Sequence, residues 1–130
     1  MAAPHFSRHA RWLWRLAGWL LVAIVVWLSL TPEPISLPVT AADKLEHAVA
    51  YAVLMAWFSN LHETAARRAG LAAALIALGV ALEFAQRWTG YRTFEVTDML
   101  AGAAGVITGW LLAPPRTPNA LRWLERRGGA

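Results

Sequence analysis

Between Leu16 and Leu30 the chain carries no charged side chain, and three further apolar stretches follow, each bounded by charges, prolines or glycine. This pattern limits the fold more than any other feature. The apolar fraction is 58% and the charged fraction 15% over 130 residues. Soluble domains sit near half apolar and a quarter charged. A chain of this size buries only a modest share of its surface, so it could not hide that much apolar area from water. If lipid is the outer solvent, nothing needs to be hidden. The expectation is an all-α, four-transmembrane-helix bundle forming a single domain.

The four segments run over 12–30, 45–61, 69–86 and 96–113. At about 1.5 Å per residue they span roughly 25–29 Å, slightly less than a hydrocarbon core. Their polar ends therefore belong in the headgroup region. Pro32, Pro34 and Pro38 punctuate the first connection, and Pro114, Pro115 and Pro118 follow the fourth segment. Trp12, Trp14, Trp57, Trp88 and Trp110 lie near segment ends, as an interfacial aromatic belt would place them, whereas Trp19 and Trp27 lie deeper. The division is a tail at 1–11, a membrane domain at 12–113 and a basic tail at 114–130.

Charge sets the orientation. Arg8, Arg11, Arg15, Arg67, Arg68, Arg116, Arg122, Arg126 and Arg127 fall on one side, and only Lys44, Arg87 and Arg92 on the other. The positive-inside rule puts both termini in the cytoplasm and the first and third connections outside. A removed signal peptide fits less well, because Ser29-Leu30-Thr31 is a poor cleavage site and Val39-Thr40-Ala41 lies beyond three prolines. The net charge of +4 is thus topological, and no nucleic-acid partner is expected. Residues Leu121–Arg127 could form a basic amphipathic turn on anionic lipid or stay without structure. There is no cysteine, which excludes disulfides, thiolate catalysis and cysteine-ligated metal.

Polar side chains at the outer segment ends are the candidate functional residues, since lipid makes them costly to keep. Asp43, His47 and Tyr51 recur at i, i+4 and i+8 on one helix face, with Lys44 beside them. Asp43 suits an N-cap, yet a cap needs none of the other three. An aspartate one turn before His47 could orient the imidazole as a base or proton carrier. Tyr51, a turn further in, needs a partner for its hydroxyl.

The second cluster is Glu83, Gln86, Arg92 and Asp98. Glu83 is preceded by apolar residues from Gly70 to Leu82, so it must face other helices, pair with a cation or stay protonated. Asp98, after Thr97, again resembles a cap. His47, Asp43 and Glu83 are the candidate catalytic groups; Lys44, Tyr51, Gln86, Arg92 and Asp98 are candidate ligand-binding groups. A cation held by His47, Asp43, Glu83 and Asp98 is conceivable, with manganese or magnesium favoured over zinc. Lys44 and Arg92 can neutralise the same carboxylates, so no metal or other cofactor is expected. No nucleophile motif or phosphate-binding glycine loop is present. Gly105 and Gly109 form a G-x-x-x-G face that admits another helix closely, whether from this chain or from a second copy in a homo-oligomer.

Leu28-Ser29-Leu30-Thr31-Pro32, Asp43-Lys44-x-x-His47-x-x-x-Tyr51 and Glu83-x-x-Gln86-x5-Arg92-x5-Asp98, followed by Gly105 and Gly109, together resemble the VanZ family over residues 12–113. The chain departs from that family's pattern at Gly102, where the family has an asparagine. The resemblance implies a multi-pass protein of the bacterial cytoplasmic (inner) membrane, within the cell envelope. It also implies an association with teicoplanin-type glycopeptide antibiotic resistance. The residues themselves point to an outer-leaflet polar site binding an anionic or peptide-bearing lipid headgroup, and the resemblance adds a lipid-linked cell-wall intermediate or a lipoglycopeptide as candidate partners. Whether the site also processes its ligand, as an enzyme with His47 as base, stays open. The alternatives are a membrane scaffold ordered by an ion network and acting through partners, and a small proton-coupled transporter using Glu83.

Overall fold

The computed structural model describes residues 4–32, 42–90 and 94–128. Among them all regular structure is helical: α1 (Pro4–Leu30), α2 (Ala42–Ser59), α3 (Ala65–Thr89), α4 (Val96–Leu111) and α5 (Ala120–Gly128). Two helices are long and apolar enough to cross a membrane, α1 over Arg8–Leu30 and α3 over Ala65–Thr89; α4 is apolar but shorter. The expected segments recur with small shifts. The largest is in α1, which starts at Pro4 rather than Trp12, because a proline loses nothing in a first turn whose amide would go unpaired.

The helix ends have specific chemistry. Thr64 caps α3 by accepting the Arg67 amide at its hydroxyl, 3.3 Å away. Gly90 closes the same helix with φ 77°, a left-handed conformation that glycine adopts without a Cβ penalty. The residue before α4 in extended conformation is Glu95, so Asp98 lies inside the first turn and is not the cap it resembled. Likewise α2 begins at Ala42, which places Asp43 within its first turn, where a negative charge opposes the helix dipole.

The closest packing joins α2 to α4. A Cβ on Gly105 would strike the Ala48 carbonyl oxygen, and one on Gly109 would strike the Ala52 carbonyl oxygen. The two backbones touch there because neither glycine has a side chain. The G-x-x-x-G face is thus packed against α2 of the same chain. Tyr51, Leu54, Met55 and Phe58 of α2, Ala72 and Leu75 of α3, and Val106 of α4 form the buried core.

Helix α1 lies on the outside of this core and exposes large apolar side chains, including Trp12, Trp19, Leu20, Ile24 and Trp27. It is fastened to α2 by a reciprocal pair. Trp14 and Trp57 stack with centroids 4.0 Å apart, and each indole N–H donates to the other's backbone carbonyl at 2.9 Å. These two tryptophans therefore serve helix packing, and Trp88 stays exposed at its segment end.

Contacts also show which ends lie together. Arg11 of α1 pairs with Glu125 of α5 at 2.8 Å, and Arg122 of α5 with Glu63, just past α2, at 2.8 Å. Asn60 receives the Ala120 amide at its side-chain oxygen and the Asn119 side-chain amide at its carbonyl. Leu121 is fully buried beneath α5. The basic tail is thus a docked helix rather than a chain without structure. At the opposite end Gln86 of α3 donates to the Ser29 carbonyl of α1 at 2.8 Å, and Lys44 of α2 reaches α4.

A polar site where three helices meet

At the end away from α5, α2 and α4 begin and α3 finishes. The helix directions carry the argument here: acids placed in the first turns of α2 and α4 and near the last turns of α3 must share one end. Glu83 and Asp98 are 2% and 8% exposed. A ring nitrogen of His47, a carboxylate oxygen of Glu83 and one of Asp98 all lie within 4.8 Å of one another. Three helices therefore bring the side chains of positions 47, 83 and 98 to one point.

His47 is oriented by backbone. Its Nδ1 lies 2.7 Å from the Asp43 carbonyl oxygen. A carbonyl only accepts, so Nδ1 carries a proton, and in the neutral ring Nε2 presents its lone pair. The aspartate one turn earlier does orient the imidazole, but through its main chain; its carboxylate is exposed in the first turn and does not join the three converging groups.

Above the buried groups lies an ion network. Lys44 donates to Glu95 Oε2 at 3.0 Å and stands 3.5 Å from Asp98 Oδ1. Glu95 also accepts from the Thr97 hydroxyl at 3.3 Å, and its own amide donates to Glu83 Oε1 at 2.7 Å. The side chains of Lys44 and Glu95 are 40% and 42% exposed, so the network opens to the surroundings. Its hydrogen bond to Glu95 raises the Lys44 pKa above the ordinary lysine value, with burial acting the other way. The same bond from Lys44 lowers that of Glu95. No family model, curated protein or solved structure matches the chain. The site's meaning therefore rests on its own residues.

Glu95 is the member that sequence reasoning missed. Its signal was available: a glutamate directly before the first turn of α4, one turn from Asp98 and in the same connection as Arg92. Gln86, expected among the ligand-binding groups, is buried with its amide nitrogen committed to α1. Tyr51 is buried too, its ring lying between Gly79 of α3 and Gly102 of α4; a Cβ at either glycine would stand 3.3 and 3.2 Å from it. Gly102, the departure from the VanZ pattern, is thus the space that the Tyr51 ring lies against. Arg92 falls outside the described residues.

The arrangement can hold a cation among His47, Glu83 and Asp98. It can accept hydrogen bonds from hydroxyl or ammonium groups at the carboxylates, pass a proton at His47 Nε2, and offer Lys44 to an anion. A second ionic cluster at the basic end, built on Glu63, Arg122, Arg11 and Glu125, closes the bundle there. Arg122 at hydrogen-bond distance holds the Glu63 carboxyl below its usual value.

Proposed function

We propose that the chain is a multi-pass protein of the bacterial inner membrane, with α1–α4 spanning it and both termini in the cytoplasm, whose outer-face polar site binds an anionic lipid headgroup. The convergence of His47, Glu83 and Asp98 beneath a half-exposed Lys44 is the observation that carries this reading. Lys44 supplies positive charge for a phosphate, and Arg92 stands three residues before Glu95 in the sequence. The carboxylates accept from the headgroup's hydroxyl or ammonium groups, and His47 faces the same point. Segregation of arginine toward the opposite end supports the orientation. The VanZ resemblance supports the envelope compartment, and it makes lipid-linked cell-wall intermediates and lipid-bearing glycopeptide antibiotics the ligands to try first.

One observation favours the scaffold reading instead: Lys44 is already shared by Glu95 and Asp98, and Gln86 by Ser29. Transport through Glu83 has less support, because the polar groups gather at one end rather than at mid-membrane. Native mass spectrometry of the purified protein separates the first two. Wild type should retain anionic phospholipid through mild collisional activation, and Lys44→Ala, His47→Ala and Arg92→Ala should each lose a bound-lipid population. Identical lipid profiles in all four proteins would leave the scaffold reading in its place.

A further inference from the structure

Two carboxylates buried at one end of a helical bundle need a positive counterpart, and the chain's own ammonium meets only part of that need. Lys44 gives its 3.0 Å hydrogen bond to Glu95. It stays 3.5 Å from Asp98 Oδ1, which is buried and has no hydrogen-bond partner among the described residues. Glu83 is more deeply buried than Asp98, and it receives the Glu95 amide on Oε1. The third group facing them, His47, holds its ring with Nδ1 on a backbone carbonyl, leaving Nε2 as the nitrogen with a lone pair to give. Metal-ligating histidines are oriented by such a bond, which fixes the tautomer and raises the basicity of the other nitrogen.

We propose that His47 Nε2, a Glu83 oxygen and an Asp98 oxygen bind one divalent cation of the manganese type. The charges match: two carboxylates and a neutral imidazole balance a doubly charged ion. The donor set matches too, since imidazole with two carboxylates is poorer in oxygen than calcium requires and less hydrated than magnesium prefers. Ligands at about 2.2 Å from an ion lie at most about 4.4 Å apart, so donors within 4.8 Å close on it by side-chain rotation of a few tenths of an ångström. Three protein ligands leave positions for water or for an oxygen of the ligand. Resting on the headgroup reading, the cation takes a phosphate oxygen there. It thereby resolves why a site lined by two carboxylates accepts an anion.

The test uses the full-length protein in detergent, stripped with chelator and titrated with Mn2+, bound ion being counted by loss of the free-ion paramagnetic resonance signal. One Mn2+ per chain is expected, with affinity at least tenfold weaker in His47→Ala and in Asp98→Asn. Far-UV circular dichroism must show both variants as helical as wild type; if Asp98→Asn is not, His47→Gln takes its place. Lys44→Ala should bind Mn2+ at least as tightly as wild type, because a competing cation is removed. No saturable binding, or equal binding in both ligand variants, overturns the proposal. The lipid arm is separate: phospholipid that stays bound to the wild-type protein after chelation argues against the cation while sparing the headgroup reading. Stoichiometric Mn2+ with no associated phospholipid sustains the cation and removes the headgroup.

Discussion

Lys44 is the residue on which the exposed half of the site depends, since it joins the first turn of α2 to the loop before α4 and to α4 itself. The pair it makes with Glu95 has a definite pH signature. A carboxyl lowered below the ordinary value near 4.5 stabilises the fold above that value and stops doing so as pH falls through its folded pKa. A lysine raised above the ordinary value near 10.5 stabilises the fold below that value and stops as pH rises past its folded pKa. The stability difference between wild type and Lys44→Met should therefore be flat from about pH 6 to pH 9, shrink in acid below 4.5 and in alkali above 10.5, and weaken with salt. Detergent-denaturation midpoints across that range measure it. A difference that does not shrink as pH falls below 4.5 would mean that Glu95 is not the partner that matters.

Helix–helix contacts decide how closely the site's three donors can approach. Because the Gly105 and Gly109 positions meet α2 backbone, a methyl at Gly105 must push α2 and α4 apart. Gly105→Ala is expected to destabilise the protein by roughly 1–3 kcal/mol. By contrast, Gly70 in the first part of α3 has open space around it, and Gly70→Ala should stabilise by up to about 1 kcal/mol. Unfolding in mixed micelles reads both, and equal effects would contradict the α2–α4 contact. The glycines were legible as a close-approach face, and the four apolar segments as helices, because a small-residue spacing and a long apolar run between breakers are both written directly in the sequence. Their partner was not legible: a G-x-x-x-G face fits a neighbouring helix and a second copy equally well. The same limit applied at the site. Asp43 and Asp98 announced helix starts, but they are the second residue of α2 and the third of α4, and spacing could not tell that His47 would be turned by a carbonyl rather than a carboxylate. Glu95 went unnoticed because a glutamate before a helix is ordinary, and its role comes from Lys44, 51 residues away along the chain.

Taken whole, the molecule is polarised along the bundle. One end is closed by α5, whose Leu121 is buried and whose Arg122 and Glu125 pair with Glu63 and Arg11. The other end holds two buried carboxyl groups, the His47 imidazole and a half-exposed lysine with its glutamate. Exposed tryptophans and leucines of α1 face outward between them. An anionic lipid can meet basic groups at α5 as well, so the location of a bound headgroup matters more than the fact of binding. Photo-crosslinking in nanodiscs, with an anionic phospholipid carrying its diazirine in the headgroup, measures that location. Adducts within 43–51 and 94–98, diminished in His47→Ala and Lys44→Ala, are the predicted result. Adducts that spare both stretches, and lie only on α1 or α5, would contradict a headgroup site at the meeting of α2, α3 and α4.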